Sequence, residues 1–147
     1  MNLPNDMFEV NLINPVTWMQ KPIVVVGGDE AQSRNLCGLL ARSHYSTIAL
    51  HSLLNLEREL GETGRRVVIF DLDTLPVNNR LFRTLRKTNP GVCIIGLSGH
   101  PFHPELEEAM SQHIYACLSK PVDDEELIYW LKSICENDSD SRDPPEK

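Results

Sequence analysis

Val67-Val68-Ile69-Phe70-Asp71 is the stretch that decides the fold. Four consecutive apolar residues, three of them β-branched, read as a strand covered on both faces. The run stops at a carboxylate. Three other runs end in the same manner: Ile23-Val24-Val25-Val26 leads to Asp29-Glu30, Ile94-Ile95-Gly96-Leu97 to Ser98, and Ile114–Leu118 to Lys120-Pro121. In a parallel sheet the carboxyl ends of the strands share one edge, and such folds place their chemistry there. A carboxylate pair, a hydroxyl and an ammonium are therefore expected to converge on Asp71.

Helical spacing fills the gaps between these runs. Ala31–Ser43 carries Leu36, Leu39 and Leu40, and Leu53–Leu60 forms a second helix stopped by Gly61 and Gly64. After the break at Leu75-Pro76, Leu81, Phe82 and Leu85 mark a third helix, closed by Asn89-Pro90-Gly91. Pro104–Met110 is a short acidic helix, and Asp123 caps a last one with Leu127, Leu131 and Ile134 on one face and Trp130 beside them. Thr47–Leu50 adds a short strand. Five strands alternating with five helices predict an α/β fold: a doubly wound five-stranded parallel sheet inside three α/β/α layers. Residues 1–20 read as an N-terminal extension, 21–135 as the domain, and 136–147 as a polar, disordered tail.

Composition narrows the function. The 147 residues include 14 basic and 21 acidic side chains, a net charge of −7, which argues against a nucleic-acid surface. No apolar run is long enough to span a membrane, and no secretory pattern opens the chain, so a cytoplasmic protein is expected. Cys37, Cys93, Cys117 and Cys135 form no CxxC pair and read as buried thiols in a reducing compartment.

The strand-end residues suit phosphoryl transfer. A carboxylate at Asp71 can act as a nucleophile towards phosphorus and become an aspartyl phosphate. Such transfer depends on neutralising charge, commonly through Mg²⁺ held by oxygen ligands, and Asp29 and Asp71 offer two. Ser98 can donate to a phosphoryl oxygen and Lys120 can pair with another. The successive spacings of 42, 27 and 22 residues from Asp29 through Asp71 and Ser98 to Lys120 make the combination more specific than any member of it.

Over residues 21–135 the chain resembles the receiver domain of two-component response regulators. The resemblance rests on Lys21–Glu30, Asp71, Ser98-Gly99 and Leu118-Ser119-Lys120-Pro121 followed by Val122–Leu127. It implies a flavodoxin-like fold and a non-enzymatic signalling role. Asp71 would accept a phosphoryl group from a sensor histidine kinase or phosphotransfer protein, with Ser98 and Lys120 assisting. Mg²⁺ would be bound by Asp29, Asp71 and the main-chain carbonyl of Asp73, with Glu30 adjacent. Output would pass by docking to a downstream protein, without nucleic acid or membrane; a homodimer is compatible with this. Three positions depart from the family. Gly28 stands where the first acid of the pair is usual, Pro76 comes five residues after Asp71 instead of four, and Cys117 takes the aromatic position of the fifth strand. Tyr115, two residues away, would share its side.

Two other readings compete. Gly28 and Cys117 fit a pseudo-receiver, an interaction module that is never phosphorylated. Phe70–Leu75 also looks like the DxDxT motif of haloacid-dehalogenase-type phosphatases, but Thr74 falls one position early and a strand–helix–strand–helix unit precedes the aspartate. His100 and His103, without a third ligand, read as a surface loop, and Asp123–Glu126 as a first helical turn favoured by the helix dipole.

Overall fold

The computed structural model describes the backbone of residues 21–61 and 66–141, and side chains up to Glu136. The extension over 1–20, the stop at Gly64 and tail residues 142–147 lie outside the described residues. Strands β1 Ile23–Val26, β2 Thr47–Leu50, β3 Arg66–Asp71, β4 Val92–Ser98 and β5 Ile114–Ser119 form one parallel sheet, ordered β2-β1-β3-β4-β5. From β1 the chain winds outward to β2, then returns to place β3 on the other side of β1. That reversal is the switch point of a doubly wound, flavodoxin-like sheet, and it opens a crevice at the carboxyl ends of β1 and β3. Asp71 is the last residue of β3.

Alternation along the strands builds two cores. Val24, Val26, Val68, Phe70 and Ile94 face helices α2 Leu56–Leu60 and α3 Asn79–Thr88, with Phe82 edge-on to Phe70 at 5.0 Å. Ile23, Val25, Val67, Ile69, Ile95 and Leu97 face helices α1 Glu30–Arg42 and α5 Asp124–Ser141. Polar side chains start three of the helices: Asp29 accepts from the Gln32 amide at 3.1 Å, Asn78 from Leu81 at 2.8 Å, and Asp123 from Glu126 at 2.9 Å.

Four details differ from the sequence expectation. The second helix begins at Leu56 instead of Leu53, because the Leu54 amide donates to the Ser52 hydroxyl (3.3 Å) and the chain turns there. The fourth helix, α4, is a 3₁₀ turn over Pro104–Leu106 that widens into a π turn over Ala109–His113. The Ala109 amide donates to the Asn79 side chain of α3 at 2.8 Å, which takes it out of the helical ladder and loosens the turn. α5 runs to Ser141, into the segment read as tail. Finally, β5 bulges: Ile94 pairs with Ile114 but Ile95 pairs with Ala116. The bulge puts Tyr115 and Cys117 on different sides. Tyr115 packs edge-on against Trp130 at 5.8 Å, and its hydroxyl lies 3.1 Å from that of Ser133 on α5. Cys117 is exposed instead of buried, lining a cavity of about 640 Å³ with His100, Phe102 and Met110.

Phe82 is fully buried under the sheet. Phe82→Ala is expected to destabilise the fold by about 4 kcal/mol in urea unfolding, the usual cost of a large buried cavity.

Candidate functional site at the carboxyl edge of the sheet

The register of the sheet decides which residues meet Asp71. Val26 pairs with Phe70, so Gly27 lies level with Asp71; a Cβ on Gly27 would stand 3.2 Å from the Asp71 Cβ. The acidic pair read at Asp29-Glu30 therefore comes too late along the chain to sit beside Asp71. Asp29 caps α1 instead, and among the described residues no hydrogen bond or ion pair joins Asp29 or Glu30 to Asp71. Gly28 is just as constrained. A Cβ there would come within 2.7 Å of the Thr74 carbonyl oxygen, while its amide donates to the Thr74 hydroxyl at 2.8 Å. The loop after β3 thus fills the space that an acid at position 28 would need.

Asp71 is only 2% exposed, and every side of its carboxylate is taken. Oδ1 accepts from Lys120 Nζ at 2.7 Å and from the Asp73 amide at 3.0 Å. Oδ2 accepts from Gln32 Nε2 at 2.6 Å and from the Thr74 hydroxyl at 2.9 Å. Gln32 arrives from the first turn of α1, held in place by the same Asp29 cap.

Asp73 forms a second anchored carboxylate. Its Oδ1 accepts from the Ser98 hydroxyl at 2.9 Å; its Oδ2 accepts from the Gly99 amide at 2.8 Å and lies 3.1 Å from Lys120 Nζ. Ser98, 3% exposed, also accepts from the His100 amide at 2.9 Å, which ties Asp73 to the loop entering α4. One ammonium therefore bridges both carboxylates.

The titration follows from these contacts. Burial works to raise the pKa values of Asp71 and Asp73. It is outweighed by Lys120, the Asp73 amide, Thr74 and Gln32 at Asp71, and by Gly99, Ser98 and Lys120 at Asp73, so both carboxylates titrate below their ordinary range. At Lys120 burial works downward, and the two aspartates more than offset it, so the ammonium is held above the ordinary lysine range.

Of the residues singled out by sequence, Asp71, Asp73, Ser98 and Lys120 come together, whereas Asp29 and Glu30 do not join them. Asp73 contributes its side chain, where only its main-chain carbonyl was expected. The sequence reading missed Gln32, Thr74 and Gly27 as parts of the site. Gln32 had one usable signal, its place three residues into the turn that Asp29 caps. These residues do not fit a Mg²⁺ ion. Such an ion needs an octahedral set of oxygens. Here both Asp71 oxygens already bind donors, an ammonium sits against one of them, and Gly27 and Gly28 bring no side-chain oxygen. Among the described residues no three His, Cys, Asp or Glu side chains group together as candidate metal ligands.

No family model matches the chain, and no curated protein matches it. Many solved structures do. The chain is similar to the signal receiver domain of an HD domain-containing protein from Pseudomonas fluorescens Pf-5, at 25% identity and a TM-score of 0.69 over 79% of this chain and 94% of that one. It is similar to a response regulator receiver domain from Clostridium thermocellum, at 25% identity and a TM-score of 0.63 over 82% and 94%. A CheY-like receiver domain from Methanospirillum hungatei JF-1 shares 17% identity and a TM-score of 0.72 over 82% and 98%. The fold is that of response regulator receiver domains, and no helix among the described residues is long and apolar enough to cross a membrane.

Two outcomes are expected from the geometry. The two lowered carboxylates stabilise the fold fully above about pH 4, their unfolded range, and lose that contribution as pH falls through their folded values; raised Lys120 contributes fully below about pH 10 and loses it above. Lys120→Met leaves the buried Asp71 and the more exposed Asp73 without their shared cation and should cost about 3 kcal/mol at neutral pH. Urea unfolding across pH should show this difference shrinking below about pH 4. Gly28→Ala should cost about 2 kcal/mol by the same assay, because the clash is with main chain. Thr74→Ser should not relieve it.

Proposed function

We propose that this chain is a receiver-fold signalling module that works by binding a protein partner and does not depend on phosphorylation. The observation that carries the reading is the closed triad of Asp71, Lys120 and Asp73, with glycine at both positions where β1 could bring a metal-binding acid. A nucleophilic carboxylate needs a free oxygen lone pair aimed at phosphorus. Asp71 has two donors on each oxygen, one of them an ammonium at 2.7 Å. The bulge in β5 supports the same reading. It turns Tyr115 onto α5, away from the Ser98 side, so no aromatic residue of β5 stands ready to respond to that hydroxyl. The exposed thiol at Cys117 suits a reducing cytoplasm.

Intact-mass measurement after incubation with acetyl phosphate tests this, with and without Mg²⁺. No adduct is expected in the native chain. An adduct that disappears in Asp71→Asn would overturn the proposal. It would instead support a second reading: a phosphoacceptor receiver served by a sensor histidine kinase, with Asp71 as acceptor and Ser98 and Lys120 assisting. One observation favours that alternative, the convergence of those three residues at one end of the sheet. The haloacid-dehalogenase-type reading has less support, since the aspartate ends the central, third strand of a receiver fold.

A further inference from the structure

Helix α3 carries four of the chain's 14 basic residues, Arg80, Arg83, Arg86 and Lys87, and none of its 21 acidic ones. Its apolar side is spent on the core, where Phe82 and Leu85 are 0% and 1% exposed. Spacings of three and four place Arg80, Arg83 and Lys87 along the opposite side, and all three are exposed. Arg83 forks onto Glu108 of α4 at 2.8 and 2.6 Å and still stays 56% exposed. Arg80 and Lys87 have no side-chain hydrogen bond or ion pair among the described residues. Stability does not account for such a stripe. Cations three and four apart on one helix repel each other. Arg86 and Lys87 suit the negative end of the helix dipole, but Arg80 lies in the first turn, at the positive end. Beside the stripe, Arg86 is held by the Val92 carbonyl at 2.7 Å and lines a cavity of about 300 Å³ with Ser111, Gln112 and His113. Those side chains can all donate to a carboxylate.

We infer that the outer face of α3 is a docking surface for an acidic protein segment, whose carboxylates meet Arg80, Arg83 and Lys87 while one enters the cavity beside Arg86. The inference rests on the proposed function, a module that works by binding a protein partner, and assigns that partner's chemistry. The helix from Arg80 to Lys87 spans about 10 Å. Three carboxylates on successive turns of a helix, or on alternate residues of a strand, match that length. Charge decides among polyanions. A nucleic acid or an anionic bilayer would extend over the acidic remainder of a chain with net charge −7, whereas a short segment stays on the stripe. A bilayer would also need the apolar side of the helix, which the core holds.

The test is ¹⁵N NMR of the full chain at low salt, titrated with a polyglutamate peptide of about ten residues, long enough to cover the stripe. The amides from Arg80 to Lys87 and that of His113 should shift saturably, and added salt should weaken the binding. Arg80→Gln/Lys87→Gln should weaken it by about tenfold, with unchanged Phe82 and Leu85 amides showing that the variant is folded. Arg34→Gln/Arg42→Gln, which removes two exposed cations from α1, should bind as the native chain does. Equal weakening by that control pair would mean attraction to surface charge at large and would overturn the inference. A native chain whose α3 amides do not respond would do the same. So would single-stranded DNA of similar length, or phosphatidylserine vesicles, binding α3 more tightly than the peptide. Shifts at α3 that grow with protein concentration before peptide is added would place a second copy on this face and equally overturn it. The titration needs no phosphodonor and stands apart from the acetyl phosphate test. An Asp71 adduct would sink the phosphorylation-independent reading and leave the α3 result as it is, and a silent α3 would sink this surface alone.

Discussion

One ammonium is shared by two carboxylates at the carboxyl edge of the sheet, and the rest of the site is arranged around that fact. Lys120 reaches Asp71 at 2.7 Å and Asp73 at 3.1 Å. Two carboxylates this close repel each other, and an unpaired charge at buried Asp71 is costly. The bridging cation lets both stay ionised, and five further hydrogen bonds, from Asp73, Gln32, Thr74, Ser98 and Gly99, complete the set. A pocket satisfied to this degree by its own chain is the observation behind the proposal that the module works without a metal and without phosphorylation.

The loop after β3 and the turn after β1 explain each other. Thr74 presses its carbonyl towards Gly28 and its hydroxyl between the Gly28 amide and Asp71. Only glycine tolerates that approach. With no acid at position 27 or 28, the neighbours of Asp71 are an amide and a hydroxyl, which donate hydrogen bonds where acids would have gathered a cation. Donors around a carboxylate hold it charged and still; acids around it would have drawn in Mg²⁺. The two arrangements serve opposite ends, and this chain has the first.

The sheet and most helices were legible in the sequence, because β-branched runs and helical spacing are signals carried within a few residues. Asp71, Ser98 and Lys120 were legible for the same reason: each ends or directly follows a strand. What was misread depends on register between strands, which local patterns do not encode. Asp29 looked like a partner of Asp71 because it is the first acid after β1. Pairing of Val26 with Phe70 shows that the level position is Gly27. Tyr115 and Cys117 are two apart and would share a side in a regular strand, but a one-residue bulge separates them. Gln32 was missed because its role comes from the helix cap that aims it, and α4 loosened because a side chain of α3 captured one of its amides.

The central claim is that Asp71 and Asp73 are neutralised from within. Carboxyl ¹³C shifts of the two aspartates, followed on titration with Mg²⁺ to millimolar levels at neutral pH, test it most directly. Both resonances are expected to stay where they are, in the ionised range and unresponsive to the metal. A saturable Mg²⁺-dependent shift of the Asp71 carboxyl would contradict it.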